Sequence, residues 1–233
     1  GRILETLEQQ GKMDNTWIIF MNDNGPQGGL LEARLIGGRE TSPMNNSLAN
    51  LGKPDSWASV GQGWADASSS PYRNTKGSPY EGGMRVPAFI WHGSAVTSGS
   101  IDHQFLTLMD IMPTVLDIAD INPPQGNFKG RSVLPIRGKS MVPLLASTQT
   151  RIHDADEAIA LDHSGNRMMV KGDWKIVQLP RQEWQLFNMI EDPMESRDMA
   201  SQMPDLLASM MAEFNGFAAT RNYIEVTSEI NQP

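Results

Sequence analysis

Thr16-Trp17-Ile18-Ile19-Phe20-Met21-Asn22-Asp23-Asn24-Gly25-Pro26 is the stretch on which the reading of this chain turns. Thr16–Met21 is short, apolar and β-prone, and it predicts a strand. Asp23 and Asn24 follow at its end, and Gly25-Pro26 turns the backbone away at once. A carboxylate beside a carboxamide at a sheet edge presents two hard oxygen donors, the kind that suits Ca²⁺ or Mg²⁺. Ca²⁺ takes roughly six to eight oxygens, so two ligands form only the edge of a site. Asp-Asn-Gly is also a common turn whose side chains bond the local backbone, and the residues alone leave both readings open.

Upstream of the strand, Arg2–Gln10 is apolar at positions 3, 4 and 7, with Gly11 as a stop. That spacing predicts the last turns of an amphipathic helix. The expectation is that further chain precedes it. Downstream, Asn24 to about Arg85 is rich in Gly, Ser, Asn and Pro and reads as a long loop, a length that marks functional loops. Val86–Trp91 predicts a buried strand. Phe105–Ala119 carries apolar residues at helical spacing and predicts a helix with Pro113 at an early turn or kink. Residues 122–139 read as loop and Ser140–Ala146 as a short helix. Four short runs then follow at hairpin spacing, Glu157–Leu161, Arg167–Val170, Trp174–Leu179 and Trp184–Phe187, with Gly172-Asp173 as a turn. A helix over 203–218 has Pro204 in its first turn. The expected fold class is α/β: part of a large mixed sheet over residues 1–148, then a small subdomain over 149–233, a four-stranded antiparallel sheet with a packed helix.

Composition limits the function. The chain has 233 residues, 39% hydrophobic and 20% charged, an ordinary globular balance. A net charge of −8 without any Lys/Arg run argues against nucleic acid as a partner. With no cysteine, disulfides, thiolate metal sites and a Cys nucleophile are excluded. No apolar run is long enough to span a membrane. The 15 methionines are scattered through apolar runs and read as core.

Lys76 lies in Tyr72–Pro87, a Gly-rich loop ahead of the second strand. A lysine there can reach an anion as a point charge, or simply be solvated. Glu81 and Arg85, four apart, read as a structural ion pair. Ser69-Ser70-Pro71-Tyr72-Arg73 fits a Ser-x-Pro-x-Arg string, with a polar loop as the default reading. His92, His103, His153 and His163 show no metal-ligand spacing and read as surface or structural.

Five blocks in order, Trp17–Pro26, Asn46–Gly52, Lys76–Pro87, Met109–Asp117, and Gly172–Val177 with Trp184–Pro193, resemble the C-terminal part of sulfatases. The stretch 46–73 ahead of Lys76 points to the bacterial arylsulfatase branch of the alkaline phosphatase superfamily. The resemblance implies that Asp23 and Asn24 are metal ligands completing a Ca²⁺ site begun by upstream aspartates. It implies that Lys76 is both a substrate-binding and a catalytic residue, contacting the sulfate near the leaving-group oxygen. The substrate implied is a sulfate monoester. The family nucleophile, a formylglycine made from Cys or Ser in a Cys/Ser-x-Pro-x-Arg motif, belongs to an N-terminal half that these residues do not include. Ser69–Arg73 matches the string but occupies the lysine loop instead. The chain is therefore expected to be the C-terminal portion of an arylsulfatase, inactive in isolation. Two other readings stand beside it: a phosphodiesterase or phosphonate monoester hydrolase of the same superfamily, and a non-catalytic piece or structural partner of a separate N-terminal half. The compartment is open, with the resemblance leaning to the bacterial periplasm.

Overall fold

A computed structural model of the chain describes residues 1–28, 45–56, 58, 60–97 and 99–219. These fall into two compact units, and the units interleave along the sequence. One comprises Gly1–Met21 with Ala88–Glu157, the other Asn22–Pro87 with Ala158–Pro233. Among the described residues no helix is long and apolar enough to cross a membrane.

In the first unit, helix α1 (Arg2–Gln9) ends where Gly11 adopts φ +63°, a conformation that costs glycine little. Strands β1 (Ile18–Met21) and β2 (Ala88–Trp91) pair antiparallel, Ile18 opposite Trp91 and Met21 opposite Ala88. Phe20 and Phe89 face each other in this register with ring centroids 5.3 Å apart. The helix expected over 105–119 is shorter. Phe105 and Leu106 lie outside it, a 3₁₀ turn covers Leu108–Asp110, and α4 proper is Ile111–Ile118. The reason is a capping box: the Asp110 carboxylate accepts from the Thr107 N–H at 2.7 Å, and the Thr107 hydroxyl caps the turn. Pro113 then falls in the first turn of α4, where its missing N–H has no helical partner to lose. The segment 122–139 is not wholly loop: β3 (Asn127–Phe128) and β4 (Arg131–Ser132) form a small hairpin. Its two turn residues, Lys129 and Gly130, have φ +49° and +79°, as the favoured two-residue hairpin turn requires. Helix α5 (Val142–Leu145) lies within the expected short helix.

The second unit is built on β5 (Ala158–His163), β6 (Asn166–Lys171), β7 (Trp174–Gln178) and β8 (Gln185–Asn188), an antiparallel meander in sequence order. Helix α6 (Pro204–Ala219) covers one face. Met169, Ile176 and Leu186 stand in register across three strands and pack with Met210 and Phe214, one helical turn apart on α6. Each such side chain contributes about 1.5–3 kcal/mol on leaving water. Trp184 meets Phe214 edge-on at 5.0 Å. The opposite face is buried as well. Val170, Lys175 and Phe187, which oppose one another across β6, β7 and β8, are covered, and Tyr80 packs edge-on against Phe187 at 6.2 Å. That second cover comes from the region read as loop. Besides turns, the described part of it holds α2 (Gly61–Ser69) and α3 (Glu81–Met84); residues 29–44, 57 and 59 of the expected loop lie outside the described residues. The Gly-rich composition of both helices hid them from a periodicity reading.

Candidate functional site

The segment after β1 and the loop that carries Lys76 belong to the same unit, and the backbone holds them together. Asn22 N–H donates to the Pro87 carbonyl at 3.3 Å, Gly25 N–H to Gly83 at 3.3 Å, and Lys76 N–H to Pro26 at 3.0 Å. Gly25 lets the first segment touch the loop main chain to main chain, and Gly82 and Gly83 let the loop close tightly on itself. A Cβ on Gly25 would lie 2.2 Å from the Gly82 oxygen. One on Gly82 would lie 2.1 Å from the Asn74 oxygen, and one on Gly83 2.3 Å from the Ser78 oxygen. None of the three needs a left-handed φ, so close approach is what demands glycine.

Asp23 and Asn24 ride on the first segment. Asp23 is exposed, and among the described residues its carboxylate accepts no hydrogen bond. Asn24 is half-buried; its amide nitrogen donates to the Gly25 carbonyl at 2.8 Å, which leaves the side-chain oxygen available as an acceptor. The local turn bonds that would explain Asp23 as a purely structural residue are thus not made among the described residues. Lys76 rides on the second segment, in a turn closed by Ser78 N–H to the Thr75 carbonyl, with Gly77 at φ +87°. Its side chain is exposed, and among the described residues its ammonium makes no ion pair. The arrangement offers two oxygen donors and a free cation on segments locked to each other by main-chain bonds. Among the described residues no group of three or more His, Asp or Glu gathers closely enough to hold a metal alone. Asp23 and Asn24 supply oxygen donors of the kind a hard cation takes, two of the roughly six to eight that Ca²⁺ needs.

The loop's stems rest on the sheet through Arg73, Tyr80 and Glu81, whose partners Glu195, Gln185 and Lys175 no motif singles out. Arg73 Nη1 donates to the Glu195 carbonyl at 2.9 Å and stacks over the Tyr80 ring at 4.2 Å. The Tyr80 hydroxyl bonds Gln185. Glu81 pairs with Arg85 at 2.9 Å, as its spacing predicts, and also with Lys175 at 2.7 Å. Lys175 is fully buried and lies 2.8 Å from Glu195, which is fully buried too. The Lys175–Glu81 contact is both ion pair and hydrogen bond, whereas the Lys175–Glu195 contact has the distance but not the angle of one. Burial alone would raise the Glu81 carboxyl, yet Lys175 and Arg85 hold it below the ordinary carboxylate range. Burial pushes the Glu195 carboxyl up, against the pull of Lys175. No sequence pattern announces these partners, because a lysine inside a strand reads as a solvent-facing residue.

The other sequence candidates lie elsewhere in their units. Ser69 closes α2, is buried, and donates to the Asp66 carbonyl at 3.2 Å. His153 is buried between the carboxylates of Asp110, 2.9 Å from Nε2, and Glu157, 3.2 Å from Nδ1. His92 Nδ1 accepts from the Ser94 and Ala95 N–H groups. His103 and His163 are exposed.

Two protein-family models match the chain: one described as Sulfatase over residues 1–121, and one described as N-sulphoglucosamine sulphohydrolase, C-terminal, over residues 75–218. An uncharacterized sulfatase of Schizosaccharomyces pombe is 35% identical over 219 residues, covering 91% of this chain and 39% of its own length. An arylsulfatase of Klebsiella aerogenes is 32% identical over 145 residues, covering 60% of this chain and 30% of its own. The crystal structure of Ps i-CgsB in complex with k-i-k-neocarrahexaose superposes with a TM-score of 0.62 at 23% identity, over 94% of this chain and 40% of that one. That likeness establishes the α/β fold. The chain spans 39% and 30% of the lengths of the two curated relatives.

Proposed function

Because the chain belongs to the sulfatase family, we propose that it carries one side of the active site of a hydrolase of sulfate monoesters, of the arylsulfatase branch. The observation that carries the proposal is the main-chain lock between the Asp23-Asn24 segment and the Lys76 loop. Breaking the ester S–O bond leaves negative charge on the bridging oxygen. A fixed cation near that oxygen lowers the barrier, because it needs no reorganisation as the charge develops. Lys76 is suited to this: its ammonium is a compact point charge on an exposed stem, and its main chain is anchored on both sides. Asp23 and Asn24 would hold a Ca²⁺ with their side-chain oxygens, further oxygen ligands coming from beyond these residues. Bound there, the ion would supply Lewis-acid stabilisation of the sulfate oxygens. We place the nucleophile, a formylglycine, outside these residues, whether in a longer form of the same protein or in a separate N-terminal half.

The test is turnover by the full-length protein that carries this chain, on a panel of aryl sulfate, carbohydrate sulfate and aryl phosphate esters, with and without chelator. The proposal predicts cleavage of sulfate esters, with aryl sulfates among them, and loss of turnover on chelation that Ca²⁺ restores. Preference for the phosphate ester would assign the site to phosphoryl chemistry instead.

A further inference from the structure

We propose that Glu195 and Lys175 are positioning residues for Lys76, holding both stems of its loop on the C-terminal sheet. The inference rests on the reading of Lys76 given above. Lys76 lies between Arg73 and Glu81, and both of these end on one residue. Arg73 donates its guanidinium to the Glu195 carbonyl, and Glu81 donates its N–H to the Glu195 carboxylate at 2.7 Å. The two stems also close on each other, through Gly82 N–H to the Arg73 carbonyl at 3.0 Å. Lys175 stands behind Glu195 and Glu81 together, within 2.8 Å of each carboxylate.

Two features argue that this arrangement serves geometry and not merely stability. An ion pair shut away from water is a weak source of stability, because desolvation offsets most of the attraction. Apolar side chains of similar size would cover this face of the sheet as well. In addition, Glu195 sits at φ +56°, in a left-handed conformation that glycine or asparagine adopts at least cost. A glutamate is kept there although its backbone disfavours it. The side chain that results is the one that reaches both Glu81 N–H and Lys175. Loss of either residue should free the stems, and Lys76 should then lose its fixed place beside the Asp23-Asn24 segment.

The experiment compares Glu195→Ala, Glu195→Gln and Lys175→Met with Met210→Ala, a core variant on the opposite face of the sheet. Residue-resolved amide hydrogen exchange and sulfate-ester kinetics are both measured on the full-length protein. In Glu195→Ala and Lys175→Met, the Lys76 and Glu81 amides are expected to exchange at least about tenfold faster relative to the Met169 and Ile176 amides, as a local opening does. Glu195→Gln keeps an acceptor for the Glu81 N–H and is expected to restore most of that protection. Met210→Ala is expected to accelerate loop and core amides alike. In the full-length protein, kcat is expected to fall in Glu195→Ala and to recover partly in Glu195→Gln. Equal acceleration of loop and core amides in all variants would overturn the inference, as would a kcat unchanged in Glu195→Ala while the loop is freed. If the loop is selectively freed but the wild-type protein cleaves no sulfate ester, the loop-holding role stands and the sulfatase reading fails.

Discussion

Gly25 passes so close to Gly82 that a Cβ on Gly25 would lie 2.2 Å from the Gly82 carbonyl oxygen. The contact is main chain against main chain, so no side-chain rotation can relieve it. It fixes the segment bearing Asp23 and Asn24 against the loop bearing Lys76. The approach of these two segments is thus set by the absence of a side chain at Gly25.

Gly25→Ala is the direct consequence. The added methyl must push the two segments apart, and overpacking of this kind costs about 1–3 kcal/mol. Chemical denaturation of the chain should show that loss. Turnover in the full-length protein should fall further than the stability loss explains, because Asp23 and Lys76 move relative to each other. A variant as stable and active as the parent would remove the close contact from the account.

Lys76→Ala should behave in the opposite way. Its side chain is exposed and unpaired among the described residues, so stability should change by no more than about 0.5 kcal/mol. Turnover of sulfate esters should drop on the order of 10²–10³, the range for one lost transition-state contact. An unchanged kcat would take Lys76 out of the mechanism.

The core of the C-terminal sheet gives a test independent of function. Phe214 is buried between Trp184 and the Met169–Ile176–Leu186 row. Phe214→Ala should cost about 3–5 kcal/mol, from lost burial and the cavity left behind. Leu134→Ala, at a residue 90% exposed, should cost under about 0.5 kcal/mol. Equal effects in the two variants would mean that the helix does not pack as described.

Acid should destabilise the fold. Hydrogen bonding to Lys139 holds the Asp154 carboxyl low, and Glu157 is held low, against its burial, by Lys139 and His153. Glu81 is low for the reason given above. Asp192 is low, against its burial, through the N–H groups of Arg197 and Ser196. A carboxyl depressed in the folded state contributes stability above its unfolded value, and loses it as pH falls through the folded value. Glu195, raised by burial, runs the other way and offsets part of the loss. Lys139 is raised above its ordinary 10.5 by Glu157 and Asp154; its contribution is intact below that value and is lost as pH rises through the higher one. Tm should therefore hold from neutral pH down to about pH 4 and fall between about pH 4 and pH 2. A Tm that stays level to pH 2 would contradict these pairings.

Much of the fold is legible because local signals agree with it. The four strands of the C-terminal sheet stand out as short apolar runs at hairpin spacing, and Gly165 and Gly172 stand at their turns with positive φ. Apolar spacing that continues through 105–108 predicts a helix longer than the one formed, while Thr107 and Asp110, a cap visible in the sequence, start the helical turn later. Asp23, Asn24 and Lys76 stand out by residue type and by resemblance. Their juxtaposition does not, because it depends on glycines touching residues far away in the chain. Lys175 is the clearest case. Beside Ile176 and Val177 it looks like a solvent-facing position, and it is buried because Glu81 and Glu195 arrive from two other segments.

Asp23→Ala in the full-length protein tests the central claim most directly. Sulfate-ester turnover and Ca²⁺ binding are measured together, with a Tm to show that the fold persists. The account predicts that turnover and stoichiometric Ca²⁺ binding are both lost while Tm is retained, since Asp23 is exposed and accepts no hydrogen bond among the described residues. Full turnover with Ca²⁺ still bound would contradict it.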